Sequence, residues 1–184
     1  MCRVIAIFLI LIFCNPAFSS SKEKIISQME LTETLVFDFI QTISEKKETG
    51  FCVIKYPKKI FCEYSGNNKK IIVSNGRSLV IKNKQKGSYY IYPLKKTPLE
   101  LILDKEYLIS KIKKLEPRNI NNKFLTFKIL ENNNEINIFF DKKNFNLVGW
   151  QTEDIYQNLT ITFISSVKIN QKIDNKIFIL PMND

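Results

Sequence analysis

The chain of 184 residues contains no histidine. That absence removes the commonest general base, the commonest zinc ligand and every Ser-His or Cys-His arrangement. Glycine is scarce too: there are five, none in a phosphate-cradling loop or a Gly-x-Ser-x-Gly elbow, and no Cys-x-x-Cys pair occurs. Among paired carboxylates the nearest candidates are Glu45/Glu48 and Glu153/Asp154, in polar turn-like stretches where solvated charge is the ordinary state. The sequon Asn158-Leu159-Thr160 is a short chance pattern that opens a strand-like run. This inventory points away from an enzyme, and neither a cofactor nor a metal is expected. Arginine is rare as well, with only Arg77 and Arg118 after Arg3. The formal net charge is +10, but its lysines are scattered among abundant Asn and Ile. The charge therefore reads as composition bias, with an anionic membrane surface as the alternative and nucleic acid not expected.

Long apolar runs are limited to Val4–Phe13, ten residues where a bilayer-spanning helix needs roughly 20. Arg3 precedes the run, Asn15-Pro16 breaks it, and the small-residue pattern Ala17-Phe18-Ser19 follows. That order predicts a secretory signal over residues 1–19, with the mature chain starting at Ser20 or Ser21 and working outside the cytoplasm. A retained anchor is the weaker reading. So is acylation at Cys14, because Phe13 stands where a lipoprotein processing site needs a small residue. Residues 20–184 hold no Pro/Gly/Ser-rich linker and are expected to form one domain.

Removal of the signal leaves Cys52 and Cys62. They flank the stretch Val53–Phe61, two strand-like runs around Tyr56-Pro57-Lys58-Lys59, and a hairpin centred on Pro57 sets them opposite each other. Either a cross-strand disulfide or two buried thiols satisfies that geometry.

Ile25, Ile26 and Met29 fall at helical spacing, which predicts an amphipathic helix from Lys22 to about Thr34. Period two follows, with Leu35, Phe37, Phe39 and Ile43 on one side, then short β-runs at 51–56, 60–64, 70–74, 78–82 and 88–92. Asn75-Gly76 suits a tight hairpin turn. Thr97-Pro98 opens a helix carrying Leu99, Ile102 and Leu103, and a second helix runs from Tyr107 to Leu115. Strands return at 124–130, 135–141, 146–151 and 158–169, with a last one at 176–180. The total of about ten strands with one apolar face and two or three short helices predicts a mainly β, α+β protein. A strongly curved antiparallel sheet would hold the helices on its concave side, around either a filled core or an apolar cavity.

The order of segments and several residues resemble the periplasmic outer-membrane lipoprotein carrier family, LolA. The features are Phe39-Ile40-Gln41; Gly50-Phe51 leading into a hairpin that ends in Glu63-Tyr64; Val73-Ser74-Asn75-Gly76; Thr97-Pro98-Leu99; Leu147-Val148-Gly149-Trp150 with Asp154; and Asn158–Ile169 followed by Ile173-Asp174 and Phe178. The resemblance implies an unclosed β-barrel capped by a helical lid over an apolar cavity. It also implies a monomeric chaperone that takes acylated lipoproteins from an inner-membrane ABC transporter to the outer membrane, to an acceptor there if one exists. A lipid-binding sensor or envelope scaffold of the same fold is the alternative. Where the family carries an arginine that latches the lid, this chain has Tyr56, so the latch is weaker, absent, or supplied by Lys55 or Lys58.

If Tyr56 faces inward, Cys52 and Ile54 do too, as do Ile60, Cys62 and Tyr64 on the next strand; the two cysteines then share a face, which favours a bridge. The same parity assigns to the cavity Leu125, Phe127 and Ile129; Ile136, Ile138 and Phe140; Val148 and Trp150; and Leu159, Ile161, Phe163 and Val167. The lid contributes Leu99, Ile102 and Leu103.

Overall fold

The computed structural model describes residues 20–66, 69–131, 134–153 and 157–181; the expected signal at 1–19 and Asp154 lie outside the described residues. Helix α1 (Ser21–Leu31) starts at Ser20, whose side chain accepts from the Glu23 amide while the Glu23 carboxylate accepts from the Ser20 amide, a reciprocal cap. Strands β1 (Thr34–Ile43) to β6 follow as a meander: β2 (Lys46–Lys55), β3 (Lys59–Tyr64), β4 (Lys70–Asn75), β5 (Ser78–Asn83) and β6 (Tyr89–Pro93). The chain then crosses the concavity as α2 (Leu99–Leu103) and α3 (Lys105–Ile112), and returns as β7 (Arg118–Ile120), β8 (Phe124–Glu131), β9 (Asn134–Asp141), β10 (Leu147–Glu153) and β11 (Leu159–Ile169).

Among the described residues these eleven strands form one antiparallel sheet in the order β6-β5-β4-β3-β2-β1-β11-β10-β9-β8-β7. The first and last in that order, β6 and β7, do not pair, so the barrel stays open. Its concave face buries Leu35, Phe37, Phe39, Ile54, Phe127 and Ile138 against Ile25 of α1, Ile102 and Leu103 of α2, and Leu108 and Ile112 of α3. Cys52 and Cys62 are directly opposite in the β2–β3 register, with Cα atoms 4.1 Å apart and their sulfurs bonded. Gly50 is required by close approach: a Cβ there would lie 2.3 Å from the Glu63 carbonyl oxygen and 2.7 Å from the Phe39 ring.

Three expectations change. Helix α2 starts after Pro98 rather than at a Thr97 cap, because Leu94–Lys96 already form a 3₁₀ turn and the Thr97 hydroxyl donates back to the Leu94 carbonyl. The expected strand at 176–180 is a 3₁₀ turn, Asn175–Phe178, in which Asp174 accepts from the Lys176 amide. It packs on the outer side of β3 and β4, interior strands with no free edge to offer, and is anchored by buried Phe178. Strand β7 went unforeseen: with three exposed residues it carries no burial pattern.

Candidate functional site

Helices and sheet leave two apolar pockets in the concavity, and Trp150 lines both. The first, about 370 Å³, lies between α1, α3 and the β9–β11 side; Met29, Leu35, Ile102, Leu108, Ile138, Phe140, Leu147 and Val167 are among its walls. The second, about 360 Å³, lies on the β2–β6 side beneath the start of α2, walled by Phe39, Ile60, the Cys52–Cys62 bridge, Tyr64, Ile72, Leu79, Tyr90, Tyr92 and Leu99. Polar groups gather at one end of it, where Gln41 accepts from the Tyr64 hydroxyl at 3.0 Å and donates to Thr162. Trp150, common to both walls, is held from behind by Phe37, which it meets edge-on with ring centroids 6.2 Å apart.

The expected cavity residues divide into three groups. Tyr56, Ile60, Tyr64, Leu99, Ile102, Ile138, Phe140 and Trp150 line one pocket or the other. Ile54, Leu125, Phe127, Ile129 and Ile136 share the concave face, and Leu103 lies against it from α2, but all are packed solid in the core. Leu159, Ile161 and Phe163 lie on the opposite, convex face, a correction to the expected parity. In β11 the inward side chains are Thr160, Thr162 and Ile164, whereas Leu159 is 52% and Phe163 45% exposed. The parity flips at an irregularity in the pairing with β1, between Val36 and Asp38, where Ser166 adopts a left-handed conformation (φ 54°). Val167, beyond it, does face the first pocket. A second irregularity between Leu147 and Gly149 puts Leu147 rather than Val148 into the pocket wall. Gly149 was the available signal, since a Cβ there would come 2.3 Å from the Thr162 carbonyl oxygen.

Tyr56 points its ring into the first pocket, and burial holds its hydroxyl well above the usual phenol pKa. The Lys105 ammonium sits 5.7 Å from the ring centroid while donating to the carbonyls of Glu30 and Thr32. Lid contact at the hairpin comes from the neighbouring Lys58. Its backbone N–H donates to the Leu103 carbonyl at 3.0 Å, and its ammonium reaches Glu100 and Asp104, both at 3.0 Å. Those hydrogen bonds raise the Lys58 pKa above its ordinary 10.5. Asp104 also caps α3 by accepting from the Tyr107 amide. Lys55, the other candidate, turns instead to Asn175 on the outer side. At its far side α3 is moored by Glu131, which accepts from the Tyr107 hydroxyl and the Lys111 ammonium, both at 2.7 Å; these contacts lower the Glu131 pKa.

An open antiparallel barrel with helices laid across an apolar hollow is the class of architecture these elements define. The model of the family described as outer membrane lipoprotein carrier protein LolA matches residues 30–180, and the chain belongs to that family. No curated protein matches the sequence. Among solved structures, an uncharacterized conserved protein from Thermus thermophilus shares the fold, with a TM-score of 0.52 at 8% identity over 88% of this chain and 95% of that one. A LolA superfamily protein from Nitrosomonas europaea is similar at TM-score 0.46 and 7% identity, over 87% of this chain and 98% of that one. Pseudomonas aeruginosa MucB, solved in complex with MucA, is similar at TM-score 0.45 and 6% identity over 86% and 60% of the two chains. Among the described residues no helix is long and apolar enough to cross a membrane.

Proposed function

We propose that the protein is a periplasmic carrier that shelters the acyl chains of lipoproteins and moves them from the inner to the outer membrane. The observation that supports this is the pair of apolar pockets meeting at Trp150 under helices that polar contacts help hold down. An acyl chain carries a cost of about 0.8 kcal/mol for each CH₂ left in water, so cargo crossing an aqueous gap needs such a hollow. Each pocket alone is at the low end of the roughly 300–1,000 Å³ typical of ligand sites. Loading therefore requires α2 and α3 to lift, joining the pockets past Trp150. Breaking the Lys58 pairs with Glu100 and Asp104 frees that movement, because they tie the α2–α3 junction to the β2–β3 turn.

In this reading an inner-membrane ABC transporter hands cargo to the open form, and contact with an outer-membrane acceptor, where there is one, reopens it. The solid packing of Leu103 and Ile112 at the centre of the hollow favours a second reading, a sensor or scaffold holding one small lipid. Mass spectrometry of material co-purifying with the protein from its native envelope separates the two. Acylated proteins are the expected result; free phospholipid alone supports the sensor; an empty protein rejects both.

A further inference from the structure

The sheet edge at β6 joins two features that the carrier reading leaves unused. From Tyr64 to Leu99 the chain has eight basic residues, Lys69, Lys70, Arg77, Lys82, Lys84, Lys86, Lys95 and Lys96, and no acidic one. Lys70 and Lys84 pair with Glu48 and Glu63. Arg77, Lys86, Lys95 and Lys96 are exposed and make no ion pair among the described residues. Between Lys86 and Lys95 runs the edge strand β6, which pairs with β5 on one side and with no strand on the other among the described residues, and whose Tyr89, Tyr90 and Ile91 are 41%, 61% and 46% exposed. Flanking lysines and Pro93 are ordinary protection for a free edge. Three consecutive exposed large apolar side chains are the opposite of protection. Tyr90 and Tyr92 also wall the second pocket, so this edge is part of its rim.

We propose that the β6 edge is a docking surface for an anionic phospholipid bilayer. Tyrosine suits the headgroup boundary, with an apolar ring and a polar tip, and the cationic frame around it is complementary to anionic lipid. Docking there would bring the pocket rim to the membrane surface, so an acyl chain could pass between the two without crossing water. The surface itself needs no cargo, so its test is independent of the carrier reading.

The test is co-sedimentation of the mature protein, without cargo, with vesicles of phosphatidylcholine alone or mixed with phosphatidylglycerol, at low and at physiological salt. The expected result is binding to the mixed vesicles only, weakened by salt. The variant K86E/K95E/K96E should lose it by tenfold or more. The control K114E/K123E/K143E carries the same charge change elsewhere and should lose only about twofold, since surface attraction falls off within a Debye length. Y89S/Y90S should weaken binding even where the charges are intact. Circular dichroism melts check that the variants remain folded. Equal losses in the two charge variants would reduce the effect to net charge and overturn the proposal, as would absence of binding to the mixed vesicles. Protection of the β6 amides from hydrogen exchange by a soluble envelope protein, without vesicle binding, would assign the edge to strand addition and also overturn it.

Discussion

Strands β9 and β11 lie one strand apart and read alike in sequence, each alternating apolar with polar residues, yet they bury opposite kinds of face. In β9 the inward series is Ile136, Ile138 and Phe140, all at or below 1% exposure. In β11 the apolar series Leu159, Ile161 and Phe163 faces out, and Thr160 and Thr162 face in. The difference lies in the surroundings. Inward threonines suit the polar end of the second pocket, beside Gln41 and Thr152. Outward Phe163 stacks on Phe139 with centroids 5.7 Å apart and lies 6.3 Å from Phe124, forming an aromatic cluster on the convex face. A period of two divides a strand into faces, and its neighbours decide which face meets the helices.

The largest expected effect breaks the concave side of this comparison. Ile138→Glu puts a carboxylate at a position 1% exposed, and a lone buried charge there should cost about 3–5 kcal/mol, read as loss of the cooperative melt or a collapse of Tm. Next, the Cys52–Cys62 bridge closes a loop of sequence separation 10 behind the second pocket. Its double serine variant should lose about 2–3 kcal/mol on the chain-entropy model. Thiol titration of the denatured, unreduced protein should find none free; two free thiols would reject the bridge.

Lys58→Met removes the ammonium from Glu100 and Asp104 and should cost about 1 kcal/mol. Because pairing raises the folded-state pKa of Lys58 above 10.5, its contribution is complete at neutral pH and is lost as pH rises past 10.5 and through the raised folded-state pKa. The stability gap between wild type and variant should therefore close above about pH 10.5, and hydrogen exchange of α2 in the variant should be faster at neutral pH. The smallest effect sharpens the convex side: Phe163→Glu should cost less than about 1 kcal/mol, since its site is open to water. A loss comparable to that of Ile138→Glu would mean that the faces are assigned the wrong way round.

Most of the meander was legible because its turns carry their own chemistry. Asn75-Gly76 closes β4 on β5, and the hairpin around Pro57 fixes the register that sets Cys52 against Cys62. The concave residues of β2, β3, β8 and β9 followed from alternation once the family resemblance had set Tyr56 facing inward. What sequence could not give was the residue count at irregular pairings. One extra residue near Ser166 and another near Val148 shift the face of everything beyond, and neither changes the apolar pattern. Lys58 was legible only as an alternative to Lys55, because choosing between them requires knowing that the hairpin turn meets the end of α2. The 3₁₀ turn at Asn175–Phe178 was misread because Ile177 and Ile179 mimic a strand, while the burial that matters is that of Phe178 between them.

Trp150 is the chain's single tryptophan and lines both pockets, so its fluorescence reports on the hollow without any label on the protein. Titration with an acyl chain brominated along its length tests the central claim most directly. Saturable quenching of Trp150, reversed by an unbrominated competitor of the same length, is the predicted result. Unquenched emission at saturating acyl chain, in protein shown to be folded by its melt, would contradict the account.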